Sequence, residues 1–408
     1  MGLLKVLDGA ELNAAQPAFA PVPRPAPATA QDCRLVLLST GKSLLRLEQG
    51  WKQLEASSAV APTAFQSFEW VKAWHEVYGQ PDSARELQLL AGYRNDELVF
   101  LWPLIKQRRH GLTVLTWATE PIAQYGDLLC HREETASDWI NWSIAYLRQQ
   151  AEVDLLYLRH VRQTSNFAPY AQRHFRDGQL NERAAAMDLS QFKTDADYDA
   201  RYDSRQRKHR KKARKALEEM GAFAYGPVTD VAAVKSAIAA ATREKLAWLE
   251  ERGKFNTTIA CPGHQLFLEK LSRLDASGLH LTLTQISLGE KPISWEFCFA
   301  YNGVQYCYMT AHENALTDYS PGRVHFDLAQ RHWLAQGQKS YDLMVPYDPY
   351  KESWSSALEP VNDYYLPLTA KGSLYGNLVI GWLRPQARGI YMRLPPRVLR
   401  VLKKLLRQ

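Results

Sequence analysis

Cysteine is scarce in this chain: five in 408 residues, Cys33, Cys130, Cys261, Cys298 and Cys307, an odd number with no paired spacing. That excludes a disulfide framework and a metal centre built from two cysteine pairs, and it suits a reducing compartment. No run approaches the roughly 18 uninterrupted apolar residues of a membrane span. The apolar start is short and is followed closely by Asp8 and Glu11, so no export signal is read there. Charge of one sign is in small excess: 50 Lys and Arg against 43 Asp and Glu give +7, a mild bias toward anionic partners that identifies none. A cytoplasmic protein that needs no metal is expected.

Hydrophobic residues make up 46% and charged residues 23%, so most of the chain should fold, and its length favours two domains. Proline is concentrated locally. Pro17, Pro21, Pro23, Pro25 and Pro27 stand among alanines and make 1–33 a flexible arm. A strand is expected at 35–38. Ser67 then caps a helix whose Trp70, Trp74 and Val77 share one face and read as core. Strands follow at 86–91, 98–105 and 113–117, a helix at 137–149 and a strand at 153–158.

The second half repeats this plan. A helix near 264–275 precedes a strand at 279–287; strands at 293–300 and 304–310 flank Asn302-Gly303, a strong hairpin signal. A helix at 323–336 stops at Gly337, and 341–344 reads as a strand. The fold class expected is mixed α/β with the domain duplicated: 34–195, then 196–370, followed by a basic tail at 371–408. The second domain opens on a helix whose 203–215 stretch holds eight Arg or Lys residues. It is either a solvated face or a surface for an anion.

Chemistry concentrates between Ser294 and Trp354. Asp318-Tyr319-Ser320-Pro321-Gly322-Arg323 enters a helix, whose first turn offers unpaired N–H groups and a positive dipole end, as a phosphate requires. Gly322 admits a ligand close to the backbone, Arg323 adds charge, and Ser320 either caps the helix or donates to the ligand. Downstream, 341–354 passes from a strand into a polar aromatic loop with Tyr347, Tyr350, Lys351 and Trp354, a usual place for a ligand in an α/β fold. Lys351 with Tyr350 is read as a contact to donor phosphates or an anionic acceptor, with Trp354 as a pocket wall.

Several of these residues together resemble the superfamily of GCN5-related N-acyltransferases (GNAT), in the CelD/BcsL-type branch of cellulose and exopolysaccharide biosynthesis, which is similar to the FemAB aminoacyltransferases. They are Phe68, Trp70 and Trp74; Arg205 and Arg210; Ser294-Trp295; Tyr319 to Arg323; Tyr341-Asp342-Leu343; and Tyr350 to Trp354. The resemblance implies tandem acyltransferase-like domains, each a mixed, mostly antiparallel sheet flanked by helices, with the donor site in the second. It implies acetyl-CoA or another acyl-CoA as donor, its pyrophosphate on Ser320, Gly322 and Arg323. The usual Gln/Arg-x-x-Gly-x-Gly/Ala pattern is absent there, which leaves aminoacyl-tRNA open as the donor.

Acyl transfer needs an acceptor held near the carbonyl, a base, and a donor to the oxyanion. A backbone amide near 308–311 is expected to serve the oxyanion. Glu296, His312 and Asp342 are the candidates for base or orienting group, and Trp295, Tyr308, Tyr347 and Trp354 for substrate contacts. Glu296 is either a solvent-facing strand residue or a pocket carboxylate. Cys298 and Cys307 are read as core. The acceptor expected is an amine or hydroxyl of a glycan-like molecule. Three rivals are weighed: a tRNA-dependent transferase, a non-catalytic scaffold, and direct DNA binding, which has only the basic run behind it. The amphipathic, basic 398–407 docks on the enzyme or on an inner-membrane surface beside a synthase complex.

Overall fold

The computed structural model describes residues 33–79, 84–149, 152–254, 256–274 and 278–393. The Pro/Ala-rich arm and the amphipathic 398–407 lie outside the described residues. Fourteen strands are described: β1 Cys33–Leu38, β2 Arg85–Arg94, β3 Glu97–Arg109, β4 Leu112–Trp117, β5 Leu129–Cys130, β6 Leu155–Arg162, β7 Arg176–Asp177, β8 Glu182–Asp188, β9 Phe223–Pro227, β10 His280–Leu288, β11 Lys291–Tyr301, β12 Val304–His312, β13 Ser340–Asp342 and β14 Ala357–Pro367. The described residues form two compact units, 33–182 with 360–389, and 183–359 with 390–393.

In the first unit β1 to β4 run antiparallel in order. Two-residue turns make this possible: Asn95-Asp96 and His110-Gly111 all adopt positive φ, which matches the twist of the strands they join. β4 then pairs β6 in parallel for two residue pairs, and β14 lies antiparallel beside β6. That pairing places Pro360–Gly389 with the first unit, whereas chain order alone assigns residues up to 370 to the second domain. Ser67 caps the helix Phe68–Tyr78 as expected, accepting from the Trp70 amide, and Trp70 and Trp74 are fully buried.

The second unit sets β9, β10, β11 and β12 antiparallel, with β13 parallel to β12 and antiparallel to β8. Asn302 and Gly303, both at positive φ, turn β11 into β12. Along β11, Ser294, Glu296 and Cys298 face the helix Pro321–Ala335: Ser294 Oγ lies 2.8 Å from Nδ1 of the buried His325, and Cys298 shares a core with Phe326 and Trp333. The helices Val231–Glu251 and His264–Leu271 also pack against this sheet. The first of these is not among the helices expected from the sequence. Its apolar positions Val234, Ala237, Ile238 and Ala241 do follow helical spacing, but most of the neighbouring residues are small alanines, so periodicity is weak.

Candidate active site

The basic helix Ser204–Glu218 begins in a capping box, with Asp203 accepting from the Gln206 amide and Gln206 reaching back. Leu217, buried with Ile286 and Val324, Arg207, bonded to the Tyr202 carbonyl, and Arg210 moor it. Arg210 pairs with Asp327 at 3.0 Å and lies over the rings of Tyr202, at 3.3 Å, and Trp354, at 4.0 Å. Charge, stacking and a planar fork are used together there, which lysine could not reproduce. The result is a groove of about 500 Å³ between this helix, the start of the helix Pro321–Ala335, and the 349–354 turn. Arg205, His209, Arg210, Arg323, Tyr350 and Trp354 are among its lining residues. Arg205 and Arg323 make no ion pair among the described residues. Asp203 and Asp327 line it too, against Arg205, Arg210, Arg214 and Arg323, so the groove carries a net positive charge.

Ser320 sits in the left-handed region, φ 55°, and its side chain makes no capping bond to the helix beginning at Pro321. Of the two roles open to it, capping is not the one adopted. Pro321 supplies the first helical residue, and no acidic residue stands in the first turn. A Cβ at Gly322 would lie 3.7 Å from His312 Nδ1. The end of β12 and the helix start thus adjoin, with little side-chain bulk between them.

β12 and β13 pair over only Val304↔Ser340, Gln305↔Tyr341 and Tyr306↔Asp342. Past Tyr306 the ladder ends while β12 runs on to His312, so the strands part and leave backbone groups of β12 without that partner. The register against β11 slips at the same place: Cys298 faces Cys307 and Phe297 faces Met309, leaving Tyr308 as the extra residue of a bulge. A bulge re-aims its backbone groups out of the ladder. The amide stretch singled out for the oxyanion lies at this parting of the strands.

His312 is half-buried at the open end of β12, 3.4 Å from Thr317 Oγ1. Burial, then repulsion from Lys245 and Arg252, push its pKa down to about 4 against an opposing pull from Glu244. Its imidazole is neutral at physiological pH. Glu296 is instead enclosed. Tyr341 donates to it at 2.7 Å and the Cys298 thiol at 3.4 Å, and burial pushes its carboxyl up to about 7. It is a buried carboxylate, not a solvent-facing one, on the side of the sheet facing the helix Pro321–Ala335, and it is not among the residues lining the groove. Glu296, Cys298 and Cys307 bring three donor atoms within 4.8 Å, but burial holds the Cys298 thiol well above its ordinary pKa, so the cluster is a proton-bearing network rather than a ready set of anionic ligands.

The remaining expected residues divide between groove and scaffold. Asp342 is buried and accepts the Met344 amide at 2.7 Å, holding the turn after β13. Lys351 directs all three ammonium donors at backbone carbonyls, those of Leu343 at 2.8 Å, Met344 at 2.9 Å and Pro346 at 2.8 Å. In this arrangement it braces the 343–346 turn and has no donor left for a ligand. Trp295 is buried on the strand face opposite Glu296, and Tyr347 stacks with Arg183 at 4.0 Å and bonds to Glu352. Sequence reasoning overlooks Lys245, Trp248, Arg252 and His264. They belong to the helices Val231–Glu251 and His264–Leu271 or to the end of the first, and the aromatic and basic content of 244–254 is the signal that could have found the first three.

A family model described as acetyltransferase (GNAT) domain matches residues 204–352. Among solved structures, FemX superposes with a TM-score of 0.54 at 11% identity, covering 81% of this chain and 98% of that one. The C-terminal domain of a putative lysylphosphatidylglycerol synthetase from Agrobacterium fabrum gives 0.51 at 10% identity, covering 84% and 98%. At such identities the likeness is one of fold. No curated protein matches the chain.

Proposed function

We propose, for a chain whose residues 204–352 are an acyltransferase domain of the GNAT family, that the second unit transfers an acetyl or other acyl group from acyl-CoA to an amine or hydroxyl of a sugar or related small polar acceptor. The observation that carries this is the uncapped start of the helix Pro321–Ala335 opening beside a groove of net positive charge. Donor phosphates rest on Gly322 and Arg323, with Arg205 and Tyr350 along the groove, where helix-end amides and fixed charge reinforce each other.

From there the thioester runs toward the parting of β12 and β13. Backbone N–H groups beside Tyr308 receive the developing oxyanion, which they stabilise more than the ground-state carbonyl. The acceptor nitrogen attacks, the C–N bond forms and the C–S bond breaks. The amine proton passes to the neutral His312, and coenzyme A leaves as a thiolate that takes a proton from solvent. Glu296 and Asp342 hold Tyr341 and the turn after β13, and act as positioning groups. A glycan-like acceptor from exopolysaccharide or cell-envelope biosynthesis, as in the CelD/BcsL-like branch, suits this chemistry, and it places the enzyme in the cytoplasm or at the inner membrane.

A second reading is an aminoacyl-tRNA donor. Lys208, Lys211 and Lys212 on the basic helix are exposed and form no ion pairs among the described residues, and the FemX likeness extends over most of the chain. Calorimetry and bound-ligand mass spectrometry with coenzyme A against charged tRNA separate the two. Micromolar coenzyme A binding and thiol release with an amine support the first. Tight, steeply salt-dependent tRNA binding without coenzyme A binding would replace it with the second.

A further inference from the structure

The last two turns of the helix Val231–Glu251 and the residues just beyond carry a group of cations that the transfer reaction above does not use. Lys245 Nζ lies 5.0 Å from the centre of the Trp248 ring, the Arg252 guanidinium 4.3 Å and Lys254 Nζ 5.8 Å. Among the described residues only Glu251, 3.9 Å from Arg252, forms an ion pair with any of the three. The neighbouring carboxylate of Glu244 is committed elsewhere, to the backbone and side-chain amide of Asn314. Three like charges around one indole repel one another, and among the described residues only the Arg252 charge is paired, with Glu251.

Resting on the acyl-transfer reading, we infer that Lys245, Arg252 and Lys254 form a subsite for an anionic group of the acceptor, a phosphate or a carboxylate. Its position is right for that task. Glu244, the residue before Lys245, bonds to Asn314, two residues past His312, so the helix that carries Lys245 lies against the end of β12, and Lys245 and Arg252 help to push the His312 pKa down. Lys245 is half-buried and makes no hydrogen bond or ion pair among the described residues, and burial first, then Lys351, Lys254 and Arg252, bring its own pKa down to about 8. An anion seated here relieves that repulsion and the repulsion on His312 together. The acceptor's charge thereby offsets the cationic repulsion, the lesser cause beside burial, that lowers the pKa of the imidazole that takes its proton.

Complementing the negative end of the helix dipole is the competing role for these cations. It accounts for Arg252 and Lys254, which lie just past the last turn, but not for Lys245, which lies nearly two turns earlier and is drawn out of solvent. A dipole role also predicts no ligand.

The test uses the full chain and three amines that share one scaffold: glucosamine, glucosamine 6-phosphate and glucosaminic acid. Binding is measured by calorimetry with coenzyme A saturating, so that the donor groove is filled. The expected result is at least tenfold tighter binding of the phosphate or carboxylate compound than of glucosamine, and which of the two gains identifies the anion. In Arg252→Gln/Lys254→Met, and separately in Lys245→Met, the preference should fall to about twofold or less, with coenzyme A affinity unchanged. Equal binding of all three amines, no binding of any, or a preference that survives both variants would overturn the subsite. Failure of coenzyme A to bind would instead remove the donor reading, and the ranking of the three amines would still be read without it.

Discussion

Both units contain a parallel strand pair that separates after a few residues, β4 with β6 after two pairs and β12 with β13 after three. Beyond the separation the two differ. In the first unit Trp117 and Leu158, just past the paired residues, are buried in one cluster with Trp102 and Phe167, and the Trp117 and Phe167 rings meet edge to face at 5.4 Å. Arg159 and the Arg384 guanidinium close on the fully buried Asp363. The next helix, Ala136–Gln149, has Asp138 in its first turn, which repels a phosphate. In the second unit the corresponding helix start is free of acid, presents Gly322 and Arg323, and opens on a groove. The same chain plan yields a packed cluster past the parted strands of one unit and a groove beside the corresponding helix start of the other, while the first unit's own cavity, about 270 Å³, is lined by Asn141, Ile144, Tyr170 and Leu366.

The largest expected effect comes from filling that opening. Gly322→Phe should weaken coenzyme A binding about 1,000-fold, roughly 4 kcal/mol, while Gly322→Ala, whose Cβ meets only His312 at ordinary contact distance, should bind within about twofold. Calorimetry on both variants checks it; equal losses would mean that the helix start was disturbed rather than the ligand obstructed.

Next is the brace under the opening. Lys351→Met leaves three carbonyls without a donor and should cost about 3 kcal/mol, read from the urea midpoint. A shift below about 1 kcal/mol would return Lys351 to the ligand-binding set.

Glu296 sharpens the comparison through pH. Its folded pKa, about 7, stands above its ordinary 4.5, so the folded state holds the proton more tightly. The contribution of Glu296 is fully present below pH 4.5, declines as pH rises and is lost above pH 7, in all about 3 kcal/mol. Glu296→Gln should therefore match the parent near pH 4.5 and be about 3 kcal/mol more stable than it at pH 8. Parallel stability curves would show that folding leaves the Glu296 pKa at its ordinary value.

The smallest effect tests charge alone. Arg323→Ala should weaken coenzyme A binding about tenfold and flatten its salt dependence, whereas Asp138→Ala in the first unit should leave it unchanged. An equal response to both would mean that the two helix starts are equivalent.

Much of the fold is legible in the residues themselves. The Ser67 cap, the Asn302-Gly303 hairpin and the helix entered through Ser320-Pro321 are local events, set by side-chain-to-backbone bonds and permitted φ, and they occur where the residues imply. Arg323, Tyr350 and Trp354, though far apart along the chain, do line one groove. Lys351 shows the limit: its neighbours in sequence suggest a ligand contact, yet the carbonyls that occupy it become available only once the 343–346 turn has formed. The helix Val231–Glu251 is alanine-rich and weakly periodic, and its cations are as hard to place from sequence as the helix that carries them.

By itself the sequence determined two α/β units, the elements around the groove and the basic character of its helix, because propensity, capping and alternation act over a few residues. Tertiary structure alone decided which helix start adjoins a groove, that the strand 357–367 returns to the first unit from Pro360 onward, and that Glu296 is enclosed while His312 is not. Those outcomes depend on strand order and on which face each helix covers, and both are settled by packing between residues far apart in the chain.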